Sequence, residues 1–237
     1  MKKNLLKILA IFIIGMVGGI FADQILWPYF VERPLFYQYG LDQTPIYVTE
    51  RKEITIQENV ALQNSIEKVD KTVIGVKTKT EEKILEGSGL ILTSDGLIIT
   101  LASLIPQGYK FSFFVDGELT HYQVLKRDLK ENLALVKLEK NNLPTVSFAN
   151  FEKIKLGERV FLVGAVFKEG EMKKVTNEGI VKYFDKDLIE TNIFETNLLR
   201  GSPLFNIKGE VLGLNTIDFW GRVIVIPVSK IKSFAGF

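Results

Sequence analysis

The chain has 237 residues, of which 46% are hydrophobic and 24% are charged, a composition typical of a folded globular protein. With no cysteine and a single histidine, His121, the sequence excludes disulfides, a Cys nucleophile and a metal site built from several histidines. The formal net charge of +2 is more than accounted for by lysines near the N-terminus, so no basic surface remains to predict nucleic-acid binding. We therefore expect no nucleic-acid partner, no metal and no cofactor.

Residues 1–22 predict a transmembrane signal anchor. Residues 8–22 carry no charge, and the neighbouring leucines with the long side chain of Lys7 extend the apolar run to about 18 residues, near the lower limit for a membrane span. Lysines precede this run and Asp23 follows it. The positive-inside rule then predicts a single-pass protein of the cell membrane, with its N-terminus in the cytoplasm and the rest of the chain outside. A signal peptide cut after Gly19 is the alternative, although an Ala-x-Ala cleavage site is absent.

Two features near the anchor allow more than one interpretation. Gly15 and Gly19 have the Gly-xxx-Gly spacing that can bring two membrane helices together into an oligomer, but short apolar segments often contain such pairs. Residues 23–50 contain three prolines and several aromatic residues and are predicted to be a juxtamembrane segment. Its aromatic side chains either lie in the membrane interface or pack on the folded domain.

Residues 51–237 are predicted to form an all-β domain. A short strand (KEITIQ) and a helix at 58–69 come first. Six β-rich runs follow at about 70–150 and six more at about 155–230, separated by turn sequences such as SDG, DGE and IKGE. Many short strands at this spacing indicate a sandwich or a barrel. A short helix is predicted over VSKIKSF near the C-terminus.

Six sequence segments, in order, resemble the HtrA family of trypsin-like serine proteases. EGSGLILTSDGLIIT (86–100) resembles that family's GSG-apolar-SDG-apolar-T hairpin, and ENLALVKLE resembles TDLAVLKI. LGERVFLVG, VTNEGIVKYF, RGSPLFNIKGEVLGLNT and VIVIPVSKI resemble its later segments. The resemblance runs from about residue 58 to the C-terminus and implies two antiparallel six-stranded β-barrels with an active site between them. The family usually has a peptide-binding PDZ domain next, and none follows Phe237 in this sequence.

The resemblance implies that the catalytic positions carry different residues here. TLASL stands where the family has TNNHV, so Ser103 replaces the general-base histidine, and Asn132 replaces the aspartate of TDLAVLKI. LLRGSPL stands where the family has GNSGGPL, so Arg200 replaces the nucleophilic serine. Leu198 replaces the glycine whose N–H group belongs to the oxyanion hole.

These substitutions remove the chemistry of a serine protease. The guanidinium of Arg200 stays protonated and has no acceptor atom, so it cannot attack a carbonyl. Ser103 cannot accept a proton near pH 7 as an imidazole does, and Asn132 has no charge with which to stabilise an imidazolium. Leu198 fits poorly where the family loop needs a small residue with unusual backbone angles. We therefore predict no catalytic residue.

Ser202 and His121 are the two residues that could replace a lost catalytic group. Ser202, two positions after Arg200, could be a nucleophile only if a lysine with a lowered pKa lay within hydrogen-bond reach; otherwise it is a turn residue in place of a family glycine. His121 lies far along the chain from the family's histidine position and is predicted to be a solvated strand residue.

Three functions follow from this pattern. The first is a membrane-anchored pseudoprotease that binds a peptide or a partner protein in the cleft between the barrels. In it Arg200 either binds a carboxylate of the ligand or pairs with a carboxylate of its own domain. The second is a serine endopeptidase of non-standard mechanism that acts on misfolded envelope proteins. The third is a structural role in an envelope assembly.

Overall fold

The structure is a computed structural model that describes residues 2–28 and 60–237. The chain divides into two compact units, Met1–Gln57 and Glu58–Phe237. The predicted strand KEITIQ and most of the predicted juxtamembrane segment lie outside the described residues.

The first unit is described as one helical segment. Helix α1 (Lys2–Phe21) continues as a π-helical segment, Ala22–Leu26, because no proline or glycine interrupts the sequence there. Its apolar side chains are exposed, and the stretch Lys3–Leu26 is long and apolar enough to cross a membrane. The helix thus extends a few residues beyond the predicted end of the anchor at residue 22. Gly15 and Gly19 face open space, and their role in an oligomer stays a prediction.

The second unit begins with the predicted helix, here α2, described over 60–69. Its apolar side chains pack on the core while the Ser65 hydroxyl donates to the carbonyl of Ile207. Within the described residues thirteen strands follow, and their bounds are β1 Val73–Lys79, β2 Ile84–Ile91, β3 Leu97–Leu101, β4 Lys110–Val115, β5 Glu118–Thr120, β6 Tyr122–Asp128, β7 Leu133–Leu138, β8 Arg159–Lys168, β9 Glu171–Phe184, β10 Ile189–Phe194, β11 Pro203–Asn206, β12 Val211–Ile217 and β13 Arg222–Pro227. The predicted C-terminal helix is confirmed as α3 (Val228–Ala235).

The first seven strands form one antiparallel sheet in the order β5-β4-β1-β2-β3-β7-β6. The prediction of a closed six-stranded barrel in this half was wrong. The reason lies at His121, which separates β5 from β6, so that β5 pairs with β4 at one edge of the sheet while β6 pairs with β7 at the other. The short segment Glu118–Thr120 was not predicted because three residues after a turn give no alternating pattern.

The last six strands close into a barrel in the order β10-β13-β12-β11-β8-β9, which confirms the predicted second barrel. Strand β9 starts at Glu171, earlier than the predicted NEGIVKYF run, because the residues before that run pair with β8 from Lys168↔Glu171 onwards. This long β8–β9 hairpin reaches the first sheet, where Phe167 packs edge-on against Phe114.

Strands β8 and β11 are buried on both faces, which explains their nearly continuous apolar sequences. Leu162 and Leu204 point into the barrel core. Their neighbours Phe161 and Phe205 point the other way and join the core beneath the first sheet, with ring centroids 5.4 Å apart. The first sheet and the barrel therefore pack together through a shared apolar layer.

Candidate functional site

Ser103 and Asn132 lie next to each other at the end of the first sheet. Ser103 belongs to the 3-10 turn Ala102–Leu104 after β3, and Asn132 directly precedes β7, which pairs with β3. The Asn132 Oδ1 accepts the backbone N–H of Ser103 at 2.9 Å. Asn132 has a φ of 53°, in the left-handed region that asparagine adopts more readily than most residues. The two positions predicted for the base and its orienting partner are thus adjacent, and the asparagine side chain is used to hold the turn.

The loop that carries Arg200 is held on two sides by backbone hydrogen bonds. The Ser88 N–H on β2 donates to the Arg200 carbonyl at 2.8 Å. On the other side, the Gly201 N–H donates to the Asn215 carbonyl and the Asn215 N–H donates to the Ser202 carbonyl, both at 2.8 Å. Gly201 has a φ of +76°, which favours glycine at this point of the turn. The loop is therefore fixed between the first sheet and β12 of the barrel.

Leu104 connects the loops of Ser103 and Arg200. Its side chain lies so close to Gly87 and Gly201 that a Cβ added at Gly201 would be 3.1 Å from the Leu104 Cδ1. The residue after Ser103 therefore touches the residue after Arg200. The three positions predicted for the triad lie around one small region where the first sheet meets the barrel.

The loop before Arg200 winds into a short 3-10 turn, Asn197–Leu199. Leu198 is therefore in an ordinary conformation with a side chain 47% exposed, and it is not among the described residues with positive φ. The Arg200 N–H donates back to the Asn197 carbonyl at 3.4 Å, and the Leu199 N–H to the Thr196 carbonyl at 3.1 Å. The Arg200 N–H stands where the nucleophile of a serine protease contributes a main-chain donor to the oxyanion hole, and here it points into the turn through a hydrogen bond near the upper length limit.

The Arg200 side chain is half-buried and lies against β12. Its Nη2 donates to the Ile217 carbonyl at 3.4 Å, near the upper limit for a hydrogen bond. Within residues 2–28 and 60–237 it forms no ion pair, so the predicted alternative of pairing with a carboxylate of its own domain finds no support there. The guanidinium retains donors for another group.

Ser202 is fully buried. Its Oγ donates to the Ser88 Oγ at 3.3 Å, and the Ser88 Oγ in turn accepts the Ala165 N–H at 2.8 Å. A side chain at Gly164 would overlap the Ser202 hydroxyl, so the space around this oxygen is filled. The surroundings of Ser202 agree with a packing role, although its exclusion as a nucleophile stays a prediction.

Among the described residues, the hydrogen-bond partner of the Ser202 hydroxyl is Ser88 and no lysine bonds to it. Burial lowers the pKa of Lys174 from its ordinary 10.5 to about 8, but its Nζ donates to the Val73 carbonyl at the start of β1. His121 is exposed between β5 and β6, and its carbonyl accepts the Glu139 N–H. Neither residue contributes to the region around Arg200.

Ser88 was missed by the sequence predictions. It is a fully buried hydroxyl on β2 that bridges the first sheet to β8 and to Ser202. A small polar residue within a buried apolar run was the available signal, because a buried hydroxyl almost always has a hydrogen-bond partner.

Comparison with known proteins agrees with this architecture. Residues 87–214, more than half of the chain, match the family described as "Trypsin-like peptidase domain". Serine protease HTRA1 from Xenopus laevis is 30% identical over 171 residues, covering 66% of this chain and 37% of that protein. A probable periplasmic serine endoprotease, DegP-like, from Pseudomonas putida is 33% identical over 157 residues, covering 60% of this chain and 32% of that protein.

The solved structures support the same fold. The crystal structure of the serine endoprotease from Yersinia pestis superposes with a TM-score of 0.65 at 21% identity, covering 74% of this chain and 65% of that one. The fold and the matched family define a protein of the trypsin-like peptidase class. The chain belongs to that family, and its resemblance to HtrA and DegP proteins is confirmed. It spans 32–37% of the length of these two curated relatives.

Proposed function

We propose that this protein is a membrane-anchored, extracytoplasmic pseudoprotease that binds a peptide or an extended segment of a partner protein where the first sheet meets the barrel. The observation that carries the proposal is the identity of residue 200 and the conformation of the loop around it. A guanidinium stands at the predicted position of the nucleophile, and the backbone N–H of the same residue is directed to the Asn197 carbonyl. Such a site can hold a chain, while the described residues around Arg200 place no hydroxyl beside a general base.

The neighbouring positions support the same conclusion. The Asn132 side chain is bonded to the Ser103 main chain, and neither side chain titrates near neutral pH. General-base catalysis needs a group that accepts a proton within hydrogen-bond reach of the nucleophile. Ser202, the remaining candidate hydroxyl, has another hydroxyl as its partner.

The membrane part of the proposal depends on helix α1. The stretch Lys3–Leu26 could span a bilayer, and the lysines before it favour a cytoplasmic N-terminus. Relatives such as the Pseudomonas putida protein are described as periplasmic, which agrees with a domain outside the cytoplasm. An anchor of this type would keep the pseudoprotease domain near the membrane that holds it.

The test is an activity assay on the full chain in detergent micelles, with unfolded casein as substrate and a fluorophosphonate probe for activated serines. We expect neither cleavage nor labelling. Ser202→Ala and Ser103→Ala serve as matched variants, one buried and one exposed. Labelling of the native chain that disappears in Ser202→Ala would establish the serine endopeptidase alternative and overturn the proposal.

A further inference from the structure

The edge of β12 that faces away from β13 is covered by different groups at Asn215 and at Ile217. At the end of the β12–β13 hairpin the Asp218 N–H donates to the Arg222 carbonyl, so these two residues occupy the position of a hydrogen-bonded pair, although the Arg222 N–H donates to the Asp218 side chain. Because such pairs alternate along antiparallel strands, the main-chain groups of Ile217, opposite Val223, point away from β13. The recorded partner of the Ile217 carbonyl is the Arg200 side chain. At this residue a side chain, and not a strand, covers the edge.

Two residues earlier the same edge is filled by main chain. The Asn215 carbonyl accepts the Gly201 N–H, and the Asn215 N–H donates to the Ser202 carbonyl. An extended peptide that adds antiparallel to β12, as the strands of this barrel do, would run from Ile217 toward Asn215. The peptide cannot continue as a strand past Asn215, because Gly201 and Ser202 already bond to the main chain there. The edge is therefore covered by the Arg200 side chain at Ile217, which is 4% exposed, and filled by main chain at Asn215.

Arg200 lies next to the end filled by main chain. Its hydrogen bond to Ile217, at 3.4 Å, is long enough to be displaced readily by a peptide N–H group. The guanidinium would then be free to turn toward the end of the peptide. No other side-chain hydrogen bond or ion pair of Arg200 is found in the part of the chain that the structure describes, and a guanidinium matches a carboxylate through two parallel hydrogen bonds.

From these features we infer that the cleft selects peptides by their free C-terminal carboxylate. The penultimate peptide residue pairs with Ile217, the last residue lies beside Thr216, and the terminal carboxylate binds Arg200 against the Gly201 turn. The ligand class is thus an extended chain end, such as the product of another protease or the C-terminus of a partner. This inference rests on the proposed function, because it names the ligand of the same cleft.

The experiment compares two forms of one peptide pool. The full chain, in detergent micelles and immobilised on beads, is incubated with a randomised pool of peptides about eight residues long, prepared with a free C-terminal acid or with a C-terminal amide. Mass spectrometry measures how much of each form is retained. We expect the acid form to be retained at least about tenfold better, since hydrogen bonds to charged groups are among the stronger ones.

Variants assign this preference to one residue. Arg200→Gln keeps amide donors but removes the charge, and the acid-to-amide ratio should fall to about one. Arg200→Lys keeps the charge without the planar fork and should lie between the two. Arg159→Gln is the matched control, because Arg159 is an arginine of the same barrel paired with Glu178, and it should keep the native ratio. Circular dichroism melts confirm that each variant is folded.

The outcomes separate the inference from the proposed function. Equal retention of acid and amide peptides on the native protein would overturn carboxylate selection and leave peptide binding intact. An acid preference that persists in Arg200→Gln would overturn the assignment to Arg200. Retention of neither pool above bare beads would overturn both the inference and the proposal of a peptide-binding cleft.

Discussion

Gly201 offers the most direct test of how the Arg200 loop is held. Its φ of +76° lies in the left-handed region, and a Cβ at this position would overlap the Ser88 carbonyl oxygen of β2. The neighbouring hydrogen bond from Ser88 N–H to the Arg200 carbonyl, at 2.8 Å, prevents the loop from moving away without loss of that bond. Gly201→Ala should therefore be destabilising for two separate reasons.

The two contributions can be separated with a matched glycine. Gly157 has a φ of +78°, and no atom lies within 4 Å of its added Cβ. Gly157→Ala should cost only the backbone term, about 1–2 kcal/mol. Gly201→Ala should cost this amount plus about 1–3 kcal/mol for the overlap with β2, or about 2–5 kcal/mol in total.

The measurement is urea unfolding and thermal unfolding of both variants beside the native chain in the same detergent, followed by circular dichroism. For a domain of this size the overlap term alone should lower the Tm of Gly201→Ala by about 2–12 °C relative to Gly157→Ala. Free energies of unfolding that agree within about 0.5 kcal/mol would refute the tight approach of this loop to β2.

Two further predictions concern Asn132 and Lys174. Asn132→Ala should lower the free energy of unfolding by about 2 kcal/mol, because it loses the hydrogen bond to Ser103 and adds the cost of positive φ. Asn132→Gly should lower it by about 1 kcal/mol or less. Equal losses in urea titrations would contradict the backbone argument. Burial lowers the pKa of Lys174 from 10.5 to about 8 in the folded state, so the unfolded state binds more protons between these two pH values. The free energy of unfolding should therefore rise with pH across this window, by at most about 3 kcal/mol. Lys174→Met should lose this rise relative to the native chain, and identical pH profiles would show that the amine is not desolvated.

Much of the fold could be predicted because local patterns and the family resemblance agree. The six strands of the barrel, helix α3 and the core of α2 follow from short apolar runs and turn residues. The open edge of the first sheet could not be predicted, because it depends on a break at His121 that changes which neighbour each half of the chain pairs with. Register and pairing are set by tertiary contacts that a single sequence does not display.

The candidate site, like the fold, could be predicted from the sequence only in part. The sequence predicts which residues stand at the positions around Arg200, and in the structure Ser103, Asn132 and the Gly201 turn lie near one another. It does not predict where the Arg200 side chain goes or that the 3-10 turn takes up its N–H group. These depend on a few competing hydrogen bonds of similar strength, which no sequence pattern distinguishes.

The contacts that hold this loop explain how its chemistry could change without loss of the fold. The bonds from Ser88 to Arg200, from Gly201 to Asn215 and from Asn215 to Ser202 are all between main-chain atoms. The side chain at position 200 adds one long hydrogen bond to them, while the glycine at 201 is required by its φ and by the approach of β2. Arg200→Gln should accordingly change the free energy of unfolding by no more than about 0.5 kcal/mol, as for an ordinary surface substitution. A loop held mainly by main-chain bonds can present serine or arginine at position 200 without loss of the fold.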